Sequence, residues 1–287
     1  NLSGQDLSGH DLTDTILEGV NFSNSVLPDN GLSGKNFNHT IFNEVDLSGK
    51  DLSLSTFENA NFQNTNLENA NLTGAVFTMM DLTNIKNKSL VNANLSFAGF
   101  AYTNLSGINL TGAILEQNNF HHATLSDIDF TVINGKFIRG TVFTHANLSN
   151  TNFEGINFYD PQLYNSIFYD DAHLIDEMIL GPFNQFVLES NFPNQVIMDK
   201  RVTGNALILT YLFSNNFAYS NLQNVNLSNT NMSFSVAFNA NFANANFSNA
   251  DLTNATFENA NFDGAVLEGA ILDLVNLNCK NHPVCNN

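Results

Sequence analysis

The residues able to do chemistry are few and scattered: seven histidines, two cysteines and a knot of acids near Asp170. His122 and His145 hold the same place in a repeating pattern. If residues 131–137 form only a local bulge, the two rings stand on one face about 5 Å apart. Two imidazoles alone make a poor metal site, so exposed, unliganded histidines are expected. Cys279 and Cys285 are too few for a thiolate zinc site or a disulfide scaffold. A small loop-closing disulfide is the plainest reading, and it favours an oxidising, extracytoplasmic setting. Asp170, Asp171, Asp176 and Glu177 read as solvated acids at the start of a helix. No catalytic, cofactor-binding or metal-ligating set emerges, and no enzyme is expected.

What must position these residues is a repeat of five. Stepping by five from Leu2, 17 consecutive positions through Leu82 are Leu or Phe. The phase slips by three residues and resumes from Leu90 to Phe130, then slips by three again and runs from Ile138 to Phe168. A last register runs from Leu212 to Leu277, where only Met232 and Ala237 depart from Leu or Phe. The pattern amounts to 47 units. Two residues before most centres sits a small or β-branched side chain, as at Ala60, Thr65, Ala70 and Ala75, and again at Ala240, Ala245 and Ala250. Asn or Asp lies between, and Ser, Thr or Glu and then Asn or Gly follow. Most of the 51 asparagines of the 287-residue chain come from this unit.

The stretches ENANF, ENANL and SNADL show the unit whole, and in them the chain resembles the pentapeptide-repeat family, whose unit reads A-(N/D)-L-x-x. The resemblance implies an all-β fold, a right-handed quadrilateral parallel β-helix with four pentapeptides per coil. Period five fits neither the 3.6 of a helix nor the 2 of a flat strand. It suits a coil with four short sides, with the centre and the residue two before it turned inward. Asn and Gly at the corners tolerate unusual backbone angles. Stacking at about 4.8 Å predicts about 12 coils and a rod roughly 55–60 Å long. A stacking interval of 20 puts Phe22, Phe42 and Phe62 on one face and Phe37, Phe57 and Phe77 on another.

The pattern divides the chain into 1–168, with bulges near 83–89 and 131–137, an irregular insertion at 169–211, a second repeat block at 212–277 and a tail at 278–287. Within the insertion, Asp170–Leu180 reads as a short helix stopped by Gly181-Pro182. Phe192, Ile197, Val202 and Leu207 keep the register of Leu212, so 192–211 can form one degenerate coil. Six of nine basic residues (Lys86, Lys88, Lys136, Arg139, Lys200 and Arg201) sit in or beside these breaks. His10, Asn30 and Lys50 occupy inward-type positions where small residues are the rule.

The net charge of −18 excludes a basic nucleic-acid binder, and no apolar run is long enough to insert in a membrane. Thirteen Asn-x-Ser/Thr sequons are mostly a by-product of the unit. Some members of the family protect type II topoisomerases by imitating DNA, and an acidic rod admits that reading. Yet about 60 Å of duplex carries roughly 35 charges, about twice this net charge, and the tail lacks the C-terminal helical element of those members. Neither end shows an obvious cap. The expectation is therefore a structural or protein-interaction rod that needs no cofactor. Its partners would be other copies of itself, stacked head to tail through Leu2, Leu7, Leu12, Leu17, Leu267, Leu272 and Leu277, or another protein bound on a flat face.

Overall fold

The computed structural model describes residues 1–158 and 215–286. The expected helix at 170–180, the degenerate coil at 192–211, Lys200, Arg201 and the acids at 170–177 lie outside these residues. The described chain winds as a four-sided parallel β-helix. Single parallel bridges join each coil to the next, Asp6 to Val26, Asn21 to Ile41, Asp51 to Asn71 and onward to Asn261 and Lys280. One side, named here for its first centre, reads Leu2, Phe22, Phe42, Phe62, Leu82, Leu105, Leu125, Leu148, Leu222, Phe242 and Phe262. That makes eleven levels, ten steps of about 4.8 Å and a rod of roughly 50 Å. The expectation of about 12 coils had also counted centres at 163, 168 and 212. The Leu7, Leu12 and Leu17 sides follow in order around each coil.

Most corners obey one rule. The carbonyl of a centre accepts from the N–H three residues on, as in Phe22 to Ser25 and Phe57 to Ala60. The residue two after the centre is left-handed, with φ of 53–63° for the non-glycine residues at these corners. That is a β-turn with positive φ at its third residue, which explains why Asn and Gly recur there. The Asn or Asp before each centre has its own task. Its Oδ1 accepts from the N–H two residues on, and often from that residue's hydroxyl, as Asn94 does from Ser96 at 3.1 and 2.9 Å. The sequons therefore record a local turn bond.

Inside, the centres are sealed: Phe37, Phe57, Phe77, Phe100 and Phe143 are fully buried. On the Leu17 side seven rings stack in one column, Phe37, Phe57, Phe77, Phe100, Phe120, Phe143 and Phe217. Their centroids are 4.9–5.4 Å apart and their planes within 12° of parallel. Phe22, Phe42 and Phe62 stack on the Leu2 side, as the interval of 20 predicts. Several buried hydroxyls two before a centre donate to the preceding coil, Thr65 to Phe42 O at 2.7 Å and Thr103 to Phe77 O at 2.5 Å.

The extra residues of the two small breaks form built corners. Residues 83–90 (TNIKNKSL) and 131–138 (TVINGKFI) share a Thr-x-Ile-x-(Asn/Gly)-Lys pattern. Each turns an additional isoleucine, Ile85 or Ile133, into the core. Each then makes a single 3-10 turn, Lys86–Lys88 or Asn134–Lys136, whose last two residues have positive φ. The stacking interval across them becomes 23, as in Asn71 to Asn94 and Asn119 to Val142. Beyond Phe158, Val142, Asn147, Asn152 and Asn157 pair directly with Asn216, Asn221, Asn226 and Asn231, an interval of 74. Among the described residues no helix is long and apolar enough to cross a membrane.

Candidate interaction surface

The left-handed corner position sorts the outside of the rod. Along the corners after the Leu2 and Leu7 sides it is held by Gly, Asn or an acid, for example Asn64, Gly107, Asp127, Asn69 and Gly112. Along the two corners bounding the Leu17 side it is held repeatedly by large side chains. Leu54, Phe97, Phe234 and Leu274 stand on one edge and Met79, Tyr102, His122, His145 and Tyr219 on the other. A side chain with a Cβ is disfavoured there by about 1–2 kcal/mol relative to its usual conformation. Six of these hydrophobic residues nevertheless face solvent, Leu54 at 63%, Met79 at 68%, Phe97 at 48%, Tyr102 and Tyr219 at 46% each, and Leu274 at 84%. On the coil of Phe100, Phe97 and Tyr102 rise at the two corners with only Gly99 and Ala101 between them.

The second edge is a continuous ring stack. Tyr102, His122, His145 and Tyr219 follow one another at 4.8, 4.4 and 4.8 Å, with planes within 13° of parallel. His122 and His145 thus lie on adjacent coils, as their place in the repeat implies. Beneath them His121 is buried and turned nearly perpendicular, its ring 4.4 Å from His122 and 5.6 Å from His145. Its Nδ1 meets the Thr144 hydroxyl at 2.7 Å. Burial, helped by the neighbouring imidazoles, pushes its pKa down to about 4. Burial and His122 lower that of His145 as well. His121 is held neutral, and the stacked faces of His122 and His145 are occupied by the neighbouring rings. The arrangement supplies a stiff aromatic edge, and among the described residues no group of three or more His, Cys, Asp or Glu side chains is arranged to hold a metal.

The other candidates are dispersed. Lys86, Lys88 and Lys136 are exposed on the two built corners, and the Arg139 guanidinium lies 4.4 Å over the Phe137 ring. His10 and Asn30 reach solvent, whereas Lys50 runs its stem along the coil to pair with Asp29 at 2.9 Å. The sequence reading had not singled out Leu54, Met79, Phe97, Tyr102 or Tyr219. The available signal was a bulky residue in place of Asn or Gly two positions after a centre.

The ends are closed only in part. Leu7, Leu12 and Leu17 are buried within the first coil, and Leu2 is half-buried. Leu267, Leu272 and Leu277 are also half-buried, and the tail folds back beside them. Lys280 continues the ladder, its N–H donating to Ala260 O and its carbonyl accepting from Phe262 N–H. Cys279 and Cys285 are joined in a disulfide and pack on the core. One corner of the last coil is thus covered, because the tail can extend the backbone pairing by one short side. Reducing this small loop should cost roughly 2 kcal/mol. The loss should be confined to the last coil, and faster hydrogen exchange of the Lys280 amide on adding reductant would register it.

A family model for pentapeptide repeats matches eight copies over residues 1–28, 51–86, 90–131, 135–170 and 238–278, more than half of the chain. The chain belongs to the pentapeptide-repeat family, and its fold is the right-handed β-helix of that family. Among solved structures it is similar to HetL, a pentapeptide repeat protein involved in heterocyst differentiation regulation in the cyanobacterium Nostoc. The identity is 21% over 96% of this chain and 90% of that one, with a TM-score of 0.32. It is similar also to QnrB1, a plasmid-mediated fluoroquinolone resistance protein, at 14% identity over 88% and 89% of the two chains, with a TM-score of 0.39. A pentapeptide repeat protein of the Arabidopsis thaliana thylakoid lumen aligns at 22% identity over 59% and 79%, with a TM-score of 0.15. No curated protein sequence matches.

Proposed function

We propose that this chain is a non-enzymatic rod that works by binding another protein along the Leu17 side. The observation that carries the reading is that, among the described residues, large apolar and aromatic side chains at left-handed corners are confined to the two edges of that side. Exposed Met, Phe and Tyr are the residue types that anchor protein interfaces. Strained positions persist where a surrounding function or contact holds them. The sealed core supports a role carried by the exterior. The acids lie on all four sides (Asp81, Asp46, Asp51 and Glu58, for example), which supports a general acidic rod over a DNA mimic with one charged face. The disulfide supports an extracytoplasmic setting.

The test is site-specific photocrosslinking in the source organism, with the photoreactive residue placed at Tyr102 or, as a control, at Asn69 on another corner. Adducts of defined mass from Tyr102 and none from Asn69 are expected. Equal labelling at both, or none at either, would sink the proposal. With the photoreactive residue kept at Tyr102, replacing Met79 and Tyr219 on the same edge by Asn should abolish the adduct. Stability should move by less than about 1 kcal/mol, because relief of left-handed strain offsets the lost ring contact.

Head-to-tail self-association is the second reading. It is favoured by half-buried Leu267 and Leu272 on the sides of the last coil that the tail leaves open. Light scattering and electron microscopy at micromolar concentration separate the two, filaments with a subunit repeat of roughly 50 Å supporting stacking.

A further inference from the structure

The last coil carries a second, independent set of features. Along most of the rod a centre N–H donates to the following coil, and the carbonyl two residues before a centre accepts from it, as in Phe247 to Val266 and Val266 to Ala245. On the last coil the corresponding groups of the Leu7 and Leu12 sides, Leu267 N–H, Leu272 N–H, Ala265 C=O and Ala270 C=O, make no hydrogen bond among the described residues. Val266, Ile271 and Leu274 project from the same coil at 46, 47 and 84% exposure. Beside them a cavity opens between the coil and the folded tail, lined by Leu272, Val275, Leu277, Val284 and Cys285 together with the polar Asn276 and Asn278. The charged residues on this coil are Asp263, Glu268 and Asp273, with Lys280 on the tail.

We propose that this end is a docking edge for an extended segment of a partner protein, apolar at alternate positions and flanked by Lys or Arg. Such a segment adds to the open ladder over two short sides, the backbone bonds giving affinity and the pocket beside Leu272 taking an apolar side chain. The acids select the charge of the segment. The tail limits the edge to two sides, so about ten residues suffice.

The probe is a synthetic peptide, AVLKGAVLKG, whose lysines fall over Glu268 and Asp273, measured by fluorescence anisotropy on the full chain against an isomer of the same composition, KVGLAKAGLV. The first peptide should bind at least about tenfold more tightly. Ile271→Lys, a change on the exposed outer face, should weaken it by about as much, and hydrogen exchange should slow at residues 265–273. Equal binding of the two peptides, no binding, or protection confined to the long sides would overturn the docking edge, the last while leaving a rod that binds laterally. If the chain instead forms end-to-end oligomers that Ile271→Lys dissolves, the occupant is a second copy and the proposal falls.

Discussion

Phe100→Ala should be the most damaging single change in the rod, destabilising it by about 3–5 kcal/mol. Phe100 is fully buried in the middle of the seven-ring column, 5.3 Å from both Phe77 and Phe120. Truncation removes the apolar burial, leaves a cavity that the stiff coils above and below cannot close, and breaks two ring contacts worth about 0.5–1.5 kcal/mol each. A solenoid holds together through nearest-neighbour contacts, so the loss falls at one level and divides the rod into two weaker blocks. Denaturant unfolding should change from one transition to two. Phe100→Leu, a residue this repeat accepts at other centres, should cost only about 1 kcal/mol and keep a single transition. A Phe100→Ala protein within 1 kcal/mol of the parent would mean that the column contributes no more than ordinary packing.

Acidification should loosen the junction where the coil of Phe120 meets that of Phe143. The fold depresses the pKa of His121 to about 4 and lowers that of His145, so both are held neutral. In the unfolded chain each takes up a proton near pH 6.5. The unfolded state therefore binds more protons between those values, and stability falls as pH falls. The contribution of His121 is complete above about pH 6.5 and is lost as the pH descends towards 4. It is worth at most about 3 kcal/mol, less for the water that still reaches the neighbouring rings. A His121→Ser, His145→Asn protein should show a flatter profile over this window, while its carboxylates titrate as before. Thermal unfolding from pH 7.5 to 4.5 measures the difference, and parallel profiles for the two proteins would refute the assignment.

Much of this was legible without coordinates, for a physical reason. A centre of Leu or Phe every fifth residue suits a closed coil with short sides, and the resemblance to the family's unit implied four of them per coil. Once a coil has 20 residues the sorting of Phe37, Phe57 and Phe77 onto one side follows by arithmetic. The three-residue slips at 83–89 and 131–137 were equally visible, though the inward turn of Ile85 and Ile133 was not. Cys279 and Cys285 were close enough in sequence to suggest a bond. That Lys280 would pair with Asn261 at an interval of 19, drawing the tail over the last coil, depends on which backbone groups remain free there.

The sequence by itself determined the repeat, the fold class and the polarity of the rod, because these are set by local period and composition. The tertiary structure alone decided which residues share an edge. Met79, Tyr102, His122, His145 and Tyr219 are separated by 23, 20, 23 and 74 residues, intervals that follow no single period. Only the pairing of one coil with the next, including that of Val142 with Asn216, brings those rings into one stack. Likewise, only the backbone shows that each side chain stands at a left-handed corner, a conformation that Asn or Gly would adopt at less cost.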